Sequence, residues 1–432
     1  MEFDSRVKRS RFGSTRLALG CAAALCFTPA AVIGPLVPAE AVSLGLGSFH
    51  PFSVTFVSLD QGWSLGTVPC KATGVCLTLA ETVNAGRTWS LRPLPARLVY
   101  TADRPVTNGL PAGEAGYTRL PAVIYGGYGL NVRFANSKDG WIWGGLPLSA
   151  SRVQAELWST HDGGTAWRRL PVLPGTLAEY YGSVLDLEAA GGYAYLMAPN
   201  DHFGVSLEST PVGSDAWRLD KAPDMYQPAG GSQLQGAIVL QGASGWALAG
   251  NDRGVSGSAR LVPGGNGTWT SWRAPCANVG DSFVVPAASS ASGLVTACQM
   301  GGFAYPLPKH APPGAKFGSW WLYFSYDGGK TWAAGPEVGP NGYPFAGLIA
   351  SPQPSTILMS YGFIGSSPPA QLRASFDGGR SWATVYRGDF IYLGFTSALQ
   401  GVGILRASLS RSAATQMLMS FDGGRHWSAV RF

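Results

Sequence analysis

The sequence predicts an all-β protein, a seven-bladed β-propeller of four-stranded antiparallel blades preceded by an N-terminal signal or anchor segment. Composition, an eight-residue phrase that recurs along the chain, and a second phrase interleaved with it carry this prediction. Only 13% of the 432 residues are charged, against roughly 25% in ordinary soluble domains, while 59 Gly and 31 Pro supply turns at high density. Too few Lys, Glu and Arg remain to coat surface helices, and many short strands joined by tight turns fit the balance.

The N-terminus reads as a targeting segment. Residues 1–16 are basic through Arg6, Lys8, Arg9, Arg11 and Arg16, Leu17 to about Val37 is apolar and Ala-rich, and Ala39-Glu40-Ala41 places small residues where a signal peptidase reads. Residues 1–41 are therefore expected to be a signal peptide or an uncleaved membrane anchor, and residues 42–432 the propeller. An uncleaved segment would be the chain's link to a membrane, and the propeller is expected outside the cytoplasm, secreted or at the cell surface.

Four cysteines follow, Cys70, Cys76, Cys276 and Cys298. An even count in an exported chain favours disulfides, and proximity favours Cys70–Cys76 and Cys276–Cys298. No pair has the C-x2-C spacing of a zinc site, and His50, His161, His202, His310 and His426 are scattered, so no metal or other cofactor is expected. The net charge of +6 includes an excess of basic residues in the N-terminal segment, which leaves no basic stripe for a phosphate backbone and excludes nucleic acid as the expected partner.

The recurring phrase is clearest at the C-terminal end: Ser325 to Trp332, Ser375 to Trp382 and Ser420 to Trp427 all read Ser-aromatic-Asp-Gly-Gly-basic-x-Trp. Thr160 to Trp167 keeps Asp162, Thr82 to Trp89 has Asn84 for Asp, and two copies are eroded, with Val212 and Gly264 in the Asp position. Trp89, Trp167, Trp217, Trp269, Trp332, Trp382 and Trp427 recur at intervals of 78, 50, 52, 63, 50 and 45 residues. Most of these suit one four-stranded blade of about 40–50 residues. A second phrase precedes each copy, as at Gly62-Trp63, Gly140-Trp141, Gly192-Tyr193, Gly245-Trp246, Gly293-Leu294, Thr356-Ile357 and Gly401-Val402, and reads as an apolar strand opening after a turn.

The octad has a folding logic. Gly-Gly supplies positive φ, Asp accepts N–H bonds within its own turn, and Trp buries its ring beside the hairpin. Asp162, Asp327, Asp377 and Asp422 are accordingly turn formers and not catalytic acids, with Asn84 as their counterpart in the first copy. The octads resemble the Asp-box, or BNR, repeat found in sialidases, sortilin-type receptor ectodomains, some glucan hydrolases and the photosystem II assembly-factor propellers. The resemblance implies a propeller with its boxes at the periphery, away from a ligand-binding central face, and assigns no function to the box residues.

A sialidase-like enzyme would need an Arg-Ile-Pro phrase before the first blade, converging arginines and a Tyr/Glu nucleophile pair, yet residues 42–56 contain no Arg. No G-x-S-x-G, H-E-x-x-H or phosphate-binding glycine loop is present. The chain is read as a non-catalytic binding or assembly scaffold for a protein or glycan, with an exo-acting glycoside hydrolase as the alternative. Candidate ligand residues are Tyr125 and Tyr128 at the end of a long link, Arg133, Tyr180, Asp201, His202, Arg253 and, in the insertion before the fifth octad, Trp320. Ring closure is expected to rest on side-chain packing helped by residues 42–50, because the chain starts on an inner strand and ends on an outer one.

Overall fold

The computed structural model describes residues 46–432 apart from 71–73, 96–97, 99–128, 150–151, 172–183, 201–203, 227–234, 252–253, 265–266, 277–284, 301–310, 317, 339–344, 363–368 and 407–413. The predicted segment 1–41 lies outside the described residues.

Seven antiparallel sheets follow one another along the chain, in blades spanning residues 50–92, 130–169, 186–219, 235–271, 287–337, 345–387 and 389–429. Each has four strands in simple up-and-down order, and blade 3 carries an extra two-residue strand, Met225–Tyr226, on its third strand. The innermost strand of every blade touches that of the next, and the last, Asp389–Phe395, touches the first, His50–Phe56, which makes the set a closed ring. This is the predicted seven-bladed propeller.

The second phrase opens the second strand of each blade, and its glycine has a packing reason. Gly62, Gly140 and Gly401 pair across the sheet with Phe56, Phe134 and Phe395, whose rings lie flat over them. A Cβ at these glycines would sit 2.5–2.7 Å from the ring carbons, inside van der Waals contact. Between blades, Trp63, Trp141 and Trp246 are fully buried. The indole N–H of Trp63 donates to the carbonyl of Gly163 in the next blade's box at 3.2 Å, and that of Trp246 to Gly328 at 3.0 Å.

The boxes are hydrogen-bonded turns. In blade 6, Ser375 Oγ donates to Asp377 Oδ1 at 2.8 Å and accepts the Gly379 N–H at 2.7 Å, and Asp377 Oδ1 takes the N–H groups of Arg380 and Ser381. Blades 2, 5 and 7 repeat the arrangement around Asp162, Asp327 and Asp422, and blade 1 repeats it with Asn84 accepting from Thr88 N–H. The fourth box position, Ala85, Gly163, Gly328, Gly378 or Gly423, donates its N–H to the turn joining the first two strands of the same blade. The eroded box of blade 3 has no such carboxylate, and Thr210 Oγ1 donates to the Ser214 carbonyl instead. In blade 4, the indole N–H of Trp269 donates to Asp220 Oδ2, just after blade 3, at 2.9 Å, and backbone bonds between Lys221 and both Gly267 and Trp269 splice the two blades.

Among the described residues, blades 1 and 7 meet without sharing a strand, as expected. Phe49 and Trp89 pack on the ring of Phe432 with centroids 4.6 and 5.0 Å away, and Val402, Ile404, Met417 and Met419 of blade 7 join Val54, Val68 and Ala80 of blade 1 in one core. Thr415 Oγ1 donates to Pro51 O at 2.5 Å and Gln400 Nε2 to Leu59 O at 2.6 Å across the seam. The disulfide Cys276–Cys298, with Cα atoms 5.2 Å apart, ties the segment after blade 4 to the second strand of blade 5. Cys76 is disulfide-bonded as well, while the side chain of Cys70 lies outside the described residues.

Candidate functional site

A polar cluster forms where innermost strands converge on the ring axis. On the innermost strand of blade 2, Leu130–Phe134, Val132 and Phe134 are buried between blades, and strand alternation turns Arg133 to the opposite side. Its guanidinium pairs with Glu188 on the innermost strand of blade 3 and is in electrostatic contact with the phenol of Tyr392 on that of blade 7. Blade 1 stands between blades 2 and 7, so this contact crosses the centre of the ring. The Arg133 and Glu188 side chains are only 24% and 22% exposed.

Asp186, one alternation before Glu188, is committed to the backbone. Its Oδ1 accepts the Leu187 N–H at 2.9 Å, and its Oδ2 the Ile238 N–H of blade 4 at 2.7 Å. Burial raises the pKa of Asp186 above the carboxylate range against the pull of the Ile238 N–H and of Arg133. Burial raises Glu188 too, opposed by Arg133 and reinforced by the charge of Asp186. Tyr392 is raised by burial, and Arg133, which burial alone would lower, is raised on balance by Glu188, Tyr392 and Asp186. The cluster thus holds one permanent cation against two acids that resist ionising together. Arg133 Nε is buried and has no acceptor among the described residues.

The box carboxylates offer no comparable chemistry. The Thr331 and Ser381 hydroxyls and N–H groups hold Asp327 and Asp377 well below the usual range. Asp162 is lowered chiefly by the Ala166 N–H, and Asp422, against the effect of burial, is held down to about 2 by His426, Ser420 and the Arg425 N–H. Glu81 and Glu156 are paired with Arg92 and Arg169, and Asp389 with Arg406.

Of the sequence-predicted ligand residues, Arg133 is in the central cluster. Trp320 lies in the third strand of blade 5, Ser319–Ser325, and is buried with Val295, Leu322 and Tyr361 in the core between blades 5 and 6. Tyr125, Tyr128, Tyr180, Asp201, His202 and Arg253 lie outside the described residues. Sequence reasoning missed Asp186, Glu188 and Tyr392. The alternation Asp-Leu-Glu at the start of an innermost strand was the available signal, since it puts two acids on one face of the sheet near its inner edge.

The BNR/Asp-box repeat family matches residues 323–334, which contain the box of blade 5. No curated protein matches the sequence. Among solved structures, a polysaccharide lyase described as a PL25 ulvan lyase is similar at 13% identity over 88% of this chain and 96% of that one, with a TM-score of 0.50. The Niastella koreensis GH74 enzyme is 12% identical over 88% of this chain with a TM-score of 0.46, and the chain spans 59% of its length. The β-propeller domain of the Trilobed protease from Pyrococcus furiosus is 8% identical over 89% of this chain and 98% of that domain, with a TM-score of 0.47. At such identities the likeness shows the fold alone.

Proposed function

We propose that this seven-bladed Asp-box β-propeller is an exported, non-catalytic binding scaffold that takes a hydroxyl-rich glycan, or a polar segment of a protein, at the axial cluster of Arg133, Glu188 and Tyr392. The carrying observation is how the carboxylates are engaged. Hydrolysis of a glycosidic bond takes two carboxyl groups facing that bond, and at the axis both oxygens of Asp186 accept backbone N–H groups, which leaves Glu188 as the acid able to turn to a ligand. An arginine, a carboxyl group and a phenol are the groups with which proteins grip hydroxyls and amides. The Cys276–Cys298 disulfide supports an extracytoplasmic setting.

One observation favours the alternative of a glycoside hydrolase: Glu188 is held protonated more strongly than an ordinary carboxyl, as a general acid must be. Glycan-array binding together with aryl-glycoside and sialoside turnover on the purified protein separates the two. Binding without turnover that is lost in Arg133→Ala is the expected outcome. Turnover that disappears in Glu188→Gln, with the fold retained, would replace this reading by the hydrolase.

A further inference from the structure

Where an intact box follows, as at Gly163 and Gly328, a buried tryptophan of the preceding blade reaches its carbonyl. Blade 3 has an eroded box, and the indole N–H of Trp141, which points from blade 2 into this joint against Trp217, has no acceptor among the described residues. Another contact stands at the rim of the same joint. His161, in the box of blade 2, has Nδ1 2.7 Å from Asp139 Oδ1 of its own blade and Nε2 3.3 Å from Asp215 Oδ1 in the eroded box of blade 3.

Both neighbours of the imidazole are carboxylate oxygens, which only accept. A neutral imidazole carries one N–H and one lone pair, so it satisfies one aspartate and turns a lone pair toward the other; the imidazolium donates to both. The shorter contact, to Asp139, keeps the single proton when one is lost, and the contact given up is the one between blades. We propose that His161 is a pH-sensitive clasp that fastens blade 3 to blade 2 when its ring is protonated and releases Asp215 when it is not.

The charged groups around the ring fit this role. Asp139 is further held by Asn136 Nδ2 at 2.8 Å, and Asp215 by Arg168 Nη1 at 3.4 Å, so the released aspartate keeps a partner. Lys138 is the chain neighbour of Asp139 and Asp162 that of His161, the latter with its carboxylate occupied by its turn. Partial burial pulls the His161 pKa down, but the two aspartates outweigh it and the net shift is upward from 6.5. For a base raised on folding, the stabilisation is complete below the ordinary value and is lost as pH rises through the raised one.

Histidine-labelled protein, titrated by NMR with His161→Gln to assign the resonance, tests the clasp. The expected His161 pKa lies above 6.5 and falls toward it in Asp215→Asn. Hydrogen exchange provides the second readout: corrected for intrinsic rates, protection in the box turn of blade 3 should drop about two- to fivefold between about pH 5.5 and pH 8, the range open to a solvent-accessible ion pair. That drop should vanish in Asp215→Asn. A His161 pKa at or below the ordinary value, or blade 3 protection equal at both pH values, would overturn the proposal.

Discussion

Trp63, Trp141 and Trp246 hold the same place in three blades, and their N–H groups meet different ends. Two reach box carbonyls, and the third is buried without an acceptor among the described residues. A buried donor left unsatisfied costs about 1–3 kcal/mol, whereas a made hydrogen bond contributes about 1 kcal/mol. Replacement by Phe should therefore separate them: Trp63→Phe and Trp246→Phe lose stability in denaturant melts, and Trp141→Phe loses less or gains. Glu208 makes a second case. It is buried on the third strand of blade 3 with no ion-pair or hydrogen-bond partner among the described residues, and burial, with the charge of Asp220 behind it, pushes it up to about 7 from 4.5. An acid raised on folding binds more protons folded than unfolded between those values, so stability falls as pH climbs from the lower to the higher. Glu208→Gln should leave the melting temperature near pH 4.5 unchanged and raise it at about pH 8, with a gain on the order of 2 kcal/mol.

At the scale of the element, the box is a self-contained turn whose aspartate joins the ends of one hairpin. Asp377→Ala removes the acceptor of Arg380 N–H, Ser381 N–H and the Ser381 hydroxyl, and should lower the melting temperature while leaving axial ligand binding by the folded protein intact. Loss of binding at full folding would show that a box reaches the ligand. Boxes and blade count were legible because Gly-Gly, Asp and Trp are demanded locally, within eight residues of each other. Of the axial cluster the sequence singled out Arg133 alone, since Glu188 and Tyr392 are ordinary residues in their own strands and acquire meaning only when the ring brings three blades together. Trp320 shows the same dependence on the assembled ring. Beside an insertion it reads as a loop aromatic, yet its strand continues the pairing with Leu294–Met300 and inserts the ring between blades.

For the molecule as a whole, two trends in acidity oppose each other. The box aspartates, Asp422 held down to about 2 among them, give stability that is present above their ordinary 3.8 and lost as pH falls through the lowered values. Glu208 and His161 shift the balance the other way as pH rises toward and past neutrality. The melting temperature should accordingly peak at mildly acid pH, near about 5, and a maximum above neutrality would contradict these assignments. Closure makes a separate prediction. Phe432→Ala takes away the ring that Phe49 and Trp89 pack on, and should cost about 1–3 kcal/mol in a denaturant melt.

Because every blade is made of consecutive strands and, among the described residues, the seam holds none that crosses it, the order in which the chain visits the blades is not written into any sheet. Phe49, near the start of the propeller, already lies against the last residue, Phe432. Circular permutation of the propeller should therefore be tolerated: a chain in which Phe432 is joined by a short linker to Leu46 and reopened between blades 5 and 6 would preserve all seven sheets whole.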